Sequence, residues 1–141
     1  MTVRVRRTFE FDVPGERVWE FIADPGKRAG AISVVDDFDI EGRTATWHVR
    51  LPIPVVNSTI AVETEDVARD EPRHVKFVGR SRVMQVTGEH TVEETPDGCR
   101  LHNEFVVDGR LPGVERYFER HLDDELANLE TALRRDLGLK A

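Results

Sequence analysis

The sequence predicts an α+β protein in which a long C-terminal helix packs across a curved antiparallel sheet. Three observations lead to this prediction. Residues 3–13 alternate between apolar and polar side chains, with Arg7 as the exception, as a half-buried strand does. From Val34 to Asp108 the chain reads as strands joined by short turns, which is typical of an antiparallel meander. A glycine-rich break at residues 109–113 then precedes a helical pattern.

The first strand is expected to end at Pro14 and to be followed by a short helix. Val18, Phe21 and Ile22 are spaced as one apolar face of that helix. We expect the helix to end near residues 24–26, where Asp, Pro and Gly follow one another. Residues 27–31 are expected to add one or two further helical turns before the chain returns to strand.

The meander is expected to contain a strand that begins at Val34 and five more at residues 44–51, 55–67, 73–80, 83–94 and 99–108. Pro52 and Pro54 separate the first two of these five, since proline interrupts the hydrogen-bonded ladder. The residues Pro96, Asp97 and Gly98 indicate the turn of a hairpin that joins the last two. With the opening strand, the sheet has six or seven strands.

The last helix is predicted from apolar residues that recur every three or four positions between Val114 and Leu137. At about 1.5 Å per residue, a helix of this length exceeds 30 Å and can cross a whole sheet. We find no internal repeat or linker, and so expect residues 1–141 to form one domain.

Composition restricts the partners and the location of the protein. Acidic residues outnumber basic residues by 27 to 20, and the net charge of −7 opposes binding to nucleic acid. Cys99 is the single cysteine, which excludes an internal disulfide and favours a reducing cytoplasm. No apolar run approaches the roughly 20 residues of a membrane-spanning helix, so no transmembrane segment is expected. Peripheral contact with a membrane stays open.

A resemblance to a known group is carried by residues 9–25, which read FEFDVPGERVWEFIADP. They resemble the opening strand, the Val-Trp helix and the Asp-Pro break of the START-like (SRPBCC) superfamily, which includes polyketide cyclases, lipid-transfer proteins and birch-pollen-allergen-like proteins. The order of elements extends the resemblance over essentially the whole chain. It is closest to the polyketide cyclase/dehydrase-like proteins and to a branch that is similar to an accessory component of carbon monoxide dehydrogenase.

The resemblance implies the helix-grip fold, in which a cavity lies between the last helix and the concave face of the sheet. It implies a hydrophobic ligand such as a lipid, a quinone or a polyketide-like compound. Because the superfamily shares no set of catalytic residues, it implies none here. Fold likeness alone does not decide the chemistry.

Two polar residues fall on the apolar side of predicted strands and are candidates for orienting a ligand. His90 is in line with Met84 and Val86, and Asn103 is in line with Phe105. Because a buried polar group needs a hydrogen-bond partner, each must find one in the protein, in water or in a ligand. The alternatives are that the two bond each other in the core, or that the strand bends near Gly88 and turns His90 to water.

Other candidates come from the helix and from an aromatic strand residue. Tyr117 and His121 are four residues apart beside the apolar stripe and either lean over the cavity or lie at its rim. Trp47 shares its side of a strand with Val49 and is a candidate cavity wall. The predicted ligand-binding residues are Trp47, Met84, Val86, His90, Asn103, Phe105, Tyr117 and His121.

No catalytic residue, cofactor or metal is predicted. The sequence contains no GxGxxG, P-loop, HExxH or GxSxG motif. His102 and Glu104 point the same way on one strand and could together bind a metal. They share that face with Val106 and Asp108, however, which suggests a solvated surface.

Three functions therefore stay open. The first, which the sequence favours, is binding or carriage of a hydrophobic small molecule without catalysis. The second is a cyclase or dehydratase type of enzyme in which His90, Asn103, Tyr117 or His121 acts on a bound carbonyl compound. The third is an accessory protein whose surface contacts a protein partner in a larger enzyme complex.

Overall fold

The elements follow one another as a strand, two short helices, six strands and a long helix. The computed structural model describes residues 2–42, 44–53 and 59–139. Within them the elements are β1 (Thr2–Phe11), α1 (Gly15–Ile22), α2 (Pro25–Gly30), β2 (Val35–Glu41), β3 (Thr44–Val49), β4 (Ile60–Asp70), β5 (His74–Arg80), β6 (Met84–Thr95), β7 (Gly98–Gly109) and α3 (Val114–Asp136).

All seven strands form one curved antiparallel sheet in the order β1-β7-β6-β5-β4-β3-β2. Strands β2 to β7 are a meander in which each strand pairs with the next in sequence. Strand β1 lies at the opposite edge from β2 and pairs with β7 from Thr2 opposite Asp108 to Phe11 opposite Cys99. The predicted α+β helix-grip fold, with its long C-terminal helix, is confirmed.

The first short helix ends earlier than predicted, because a cap separates it from the second. Asp24 Oδ1 accepts hydrogen bonds from the backbone N–H groups of Gly26 at 2.8 Å and Lys27 at 3.3 Å. Pro25 then occupies the first position of α2, where a missing N–H costs nothing. Helix α1 therefore ends at Ile22, and α2 begins at Pro25.

Helix α3 buries the stripe that predicted it. Val114, Phe118 and Leu122 are buried, as are Leu126, Leu129 and Leu133 further along. Gly113 precedes the helix with φ of 93°, a left-handed conformation that glycine adopts without strain. None of the helices in the described ranges is long and apolar enough to span a bilayer.

Strand ends differ from the predicted ones by a few residues. Strand β3 ends at Val49, and Leu51 is buried in the segment after it rather than in the ladder. Strand β4 begins at Ile60; residues 55–58, which the sequence assigned to the same strand, lie outside the described residues.

Strand β6 continues without interruption through Gly88, where two aromatic rings occupy the space that a side chain would need. A Cβ atom at Gly88 would lie 2.2 Å from Phe77 Cε1 and 2.8 Å from Phe105 Cε1. The pairing of β6 with β5 and β7 continues without a register shift on both sides of this residue. His90 therefore faces the core and not water.

Candidate ligand-binding cavity

A small apolar cavity lies between the sheet and α3. Alternate residues of β3, β6 and β7 point into it, as the two-residue period of a strand requires, and α3 closes it from the other side. Its twelve lining residues are Ile32, Val34, Trp47, Val49, Phe77, Met84, Val86, Phe105, Val107, Phe118, Leu122 and Glu125. All of them except Glu125 are hydrophobic.

The cavity is nearly filled by the side chains around it. The cavity volume is ≈ 30 Å³. About 10 to 15 Å³ by this measure holds one water, and a cavity of about 150 Å³ holds benzene. This conformation therefore has room for about two waters, and a larger molecule must displace part of the wall. Met84 is suited to move, since its side chain is unbranched with three rotatable bonds.

Trp47 lines the cavity with the apolar part of its ring and also carries a buried hydrogen-bond donor. It lies on β3 with its side chain buried, and its ring packs against that of Phe77 with centroids 5.5 Å apart. Its indole N–H has no hydrogen-bond partner among the described residues. Most buried indole N–H groups find such a partner, but this one does not open onto the cavity, whose surface is apolar.

Glu125 lies on the α3 side of the cavity and carries a buried carboxyl group. It is only 3% exposed, and its Oε1 accepts hydrogen bonds from the backbone N–H of Ser33 at 3.0 Å and from Asn128 Nδ2 at 2.8 Å. These bonds fix the carboxylate and tie α3 to the segment before β2. Its second oxygen, Oε2, is buried without a partner among the described residues.

Glu125 was not among the predicted residues, although the sequence contains the signal. It follows Phe118 by seven residues and Leu122 by three, which places it on the apolar side of α3. A carboxylate at such a position must find partners in the core. The same alternation argument that singled out His90 on a strand would have found Glu125 on the helix.

His90 and Asn103 bond each other, which was one of the alternatives that the sequence left open. His90 Nδ1 lies 2.7 Å from Asn103 Oδ1, and Asn103 Nδ2 donates to the backbone carbonyls of Arg7 and Leu101, each at 3.2 Å. Because the amide nitrogen serves as the donor there, Oδ1 must accept, and His90 Nδ1 carries the proton. Burial lowers the pKa of His90 to about 3, so the ring is neutral at pH 7.

His90 lies beside the cavity rather than in its wall. Its ring contacts those of Phe77 and Phe105, with centroids 6.3 Å and 5.6 Å away, and both of these do line the space. Its Nε2 is buried without a partner among the described residues.

The predicted ligand-binding residues thus fall into three groups. Four line the cavity: Trp47, Met84, Val86 and Phe105. His90 and Asn103 form the core pair next to it. The rings of Tyr117 and His121 contact each other at an interplanar angle of 39°, with centroids 4.6 Å apart, and neither residue lines the cavity; burial raises the pKa of the half-buried Tyr117. Ligand contact by any of the eight stays a prediction.

The outer face of the sheet carries larger grooves, but charged side chains that pair with one another line them. In one groove of ≈ 430 Å³, Glu104 pairs with Arg6, and His102 Nε2 lies 3.0 Å from Glu93 on the same face. Within the described ranges, no three His, Cys, Asp or Glu side chains are grouped as a metal site would need. These grooves have the character of solvated surface.

Comparison with known families assigns the chain. Residues 2–134 match the family described as polyketide cyclase / dehydrase and lipid transport. The chain belongs to this family. The match covers nearly the whole sequence and agrees with the sheet, the helix α3 and the cavity between them. None of the proteins with curated descriptions matches the chain.

Solved structures of the same fold come from several bacteria. A START superfamily protein from Mycobacterium smegmatis has a TM-score of 0.75 at 14% identity and covers 96% of this chain and 97% of its own. A conserved protein from Geobacillus kaustophilus has a TM-score of 0.79 at 13% identity, with 96% and 95% covered. The Zhui aromatase/cyclase from a Streptomyces strain has a TM-score of 0.64 at 20% identity, with 96% of each chain covered. Likeness at these identities shows the fold.

Proposed function

We propose that this protein binds a small hydrophobic molecule in the cavity between its sheet and α3. The observation that carries the proposal is the make-up of the cavity wall. Eleven of the twelve lining residues are hydrophobic, and among the described residues no polar atom opens onto the space. A mostly apolar pocket is the usual form of a small-molecule site.

Binding requires the cavity to expand, because ≈ 30 Å³ is too little for an organic ring. The wall contains side chains that can give way, namely Met84 on β6 and Leu122 on α3. Burial of the ligand's apolar surface contributes about 25 cal/mol per Å² to the binding free energy, which offsets the cost of moving these side chains. A compact ligand is favoured over a long lipid chain for the same reason.

An enzymatic function in the same space is the second candidate, and Glu125 is the observation in its favour. A carboxylate among apolar side chains is a usual general acid or base. His90 is poorly suited to that role, since its pKa of about 3 makes it a weak base and it does not line the cavity. In a cyclase or dehydratase, wild type should convert the bound compound to a product with a different chromatographic retention time, whereas Glu125→Gln should leave it unchanged.

Native mass spectrometry of protein purified without detergent tests the binding function. We expect a population heavier than the apoprotein by the mass of one small organic molecule, released at higher collision energy. The variant Val49→Leu adds one methylene group to the cavity wall and fills part of the space. It should remain folded and lose most of the heavier population.

The same substitution at the exposed Val67, which is 49% accessible on β4, is the matched control and should keep the bound mass. Protein that stays empty after purification, and that takes up nothing when incubated with toluene, would overturn the proposed function.

A further inference from the structure

We propose that a ligand enters the cavity between α3 and the strap, the four residues 31–34 that connect α2 to β2. Ile32 covers this entrance, and the hydrogen bond from Ser33 to Glu125 keeps it closed. The inference rests on the proposed function and adds how access to the cavity is controlled. It starts from the unequal exposure of the residues that line the cavity.

Ile32 is the most exposed residue of the cavity wall. Eleven of the twelve lining residues are buried, whereas Ile32 is half-buried and lies outside the regular elements. A route through the sheet would have to break hydrogen bonds between paired strands, but Ile32 precedes the first residue of β2 and is not part of a ladder. The wall can therefore open at Ile32 without separating two strands.

The strap borders the cavity directly beside α3. The backbone N–H of Ser33 donates to Glu125 Oε1 at 3.0 Å. The residue before Ser33 lines the cavity, as do Glu125 itself and Leu122, which lies about one turn earlier on the helix. Since both sides of this contact line the cavity, the seam between the strap and the helix leads into it.

The strap is fixed at its two ends and held lightly between them. At the first end Ala31 N–H donates to the Arg28 carbonyl at 3.2 Å, and at the other the Val34 carbonyl accepts from Arg50 N–H at 2.8 Å. The bond of Ser33 is the one hydrogen bond between the strap and α3 among the described residues. A bond to a charged group favours the closed form over an open one by about tenfold or more.

The rate of ligand entry tests the route, with toluene as the probe. Met84 lines the cavity, and its ¹³C-labelled methyl signal reports exchange between free and bound protein. Line shapes recorded during a titration give the association and dissociation rate constants. The variant Ile32→Ala removes the cover, and we expect association to be about tenfold faster than in wild type because less of the wall has to move.

The matched control is Val107→Ala on β7. It also shortens a lining residue and enlarges the cavity, but β7 lies five strands away from β2 in the sheet order. Both substitutions change the affinity for toluene, so affinity does not separate them. The association rate does, because Val107→Ala should leave it within about twofold of wild type and act through dissociation.

A second pair of variants tests the hydrogen bond that keeps the strap closed. Glu125→Leu removes the acceptor and should speed up both toluene association and hydrogen exchange of the Ser33 amide, each by about tenfold. Amide exchange is measured without ligand and therefore reports opening of the strap itself. Asn128 donates to the same Glu125 oxygen at 2.8 Å, and Asn128→Ala should leave both rates within about twofold because it retains the bond to Ser33.

Failure of the inference differs from failure of the proposed function. Toluene that associates equally fast with wild type and Ile32→Ala would overturn the route beside the strap, although its binding would uphold the function. Equal acceleration by Val107→Ala would also overturn it, since the cavity would then open elsewhere. If toluene binds neither wild type nor any of the variants, the proposed function fails together with the route.

Discussion

His90 shows how one buried residue sets a limit on acid stability. The folded protein holds it neutral with a pKa of about 3, mainly because burial disfavours the charged ring, and the hydrogen bond to Asn103 offsets this only in part. In the unfolded chain an imidazole takes up a proton near pH 6.5. Below that pH the unfolded state binds a proton that the folded state refuses, so stability falls until about pH 3.

We expect this residue to remove about 2 kcal/mol from the free energy of unfolding between pH 7 and pH 5. Urea unfolding at the two pH values measures it. The variant His90→Asn keeps a donor for Asn103 and cannot titrate, so its loss over the same range should be smaller than that of wild type by about this amount. The exposed His121→Asn is the control for removing an imidazole and should behave as wild type.

An equal loss of unfolding free energy in His90→Asn and wild type would contradict the assignment of this loss to His90. Nitrogen NMR checks it without a substitution, because His90 should keep a protonated Nδ1 and a bare Nε2 at pH 5.

At the scale of elements, a buried ion pair joins α2 to β4. Arg28 Nη2 lies 2.6 Å from Asp66 Oδ1, both side chains are almost fully buried, and Arg28 Nη1 also donates to the Ile22 carbonyl at 3.2 Å. Asp66 Oδ2 accepts from Arg69 Nη1 at 2.9 Å. The Arg28 guanidinium lies over the ring of Phe77, 5.1 Å from its centroid, so the pair supports one wall of the cavity.

Removal of the negative partner should destabilise the fold strongly. Asp66→Asn leaves Arg28 buried without a counter-charge, and we expect a loss of about 3 to 5 kcal/mol in the free energy of unfolding, measured by urea denaturation. The matched substitution Asp36→Asn breaks an exposed pair with Arg50 and should cost no more than about 1 kcal/mol. A loss that small for Asp66→Asn would show that the pair is not essential to the packing of α2.

The helices and strands could be predicted from periodicity, but some of their ends could not. The alternation in β1 and the apolar stripe of α3 are long patterns, and each marks the face of its element that is buried. The local pattern therefore predicts both the type of element and the side that packs against the core. The end of α1 depends on which residue caps the next helix, Asp24, and the end of β3 depends on pairing with β4. Both depend on contacts that a reading of local pattern does not include.

For the whole molecule, the sequence predicted the architecture. Four of the eight predicted ligand-binding residues line the cavity, and ligand contact by any of the eight stays a prediction. The helix-to-sheet arrangement followed from the order of elements and from the resemblance. The size of the cavity could not be predicted, since it depends on how rings such as those of Phe77 and Phe118 fill the space beneath α3. Whether His90 met Asn103 or a ligand depended on the register of β6 against β7, which the alternation alone left open.

The central claim is that the space beneath α3 takes up a small apolar molecule from solution. Met84 provides the most direct probe, because the chain has only two methionines and the other is Met1 at the terminus. In protein labelled with ¹³C at the methionine methyl groups, toluene should shift the Met84 signal in a saturable way and leave the Met1 signal in place. A Met84 signal that does not move up to the solubility limit of toluene would contradict the account.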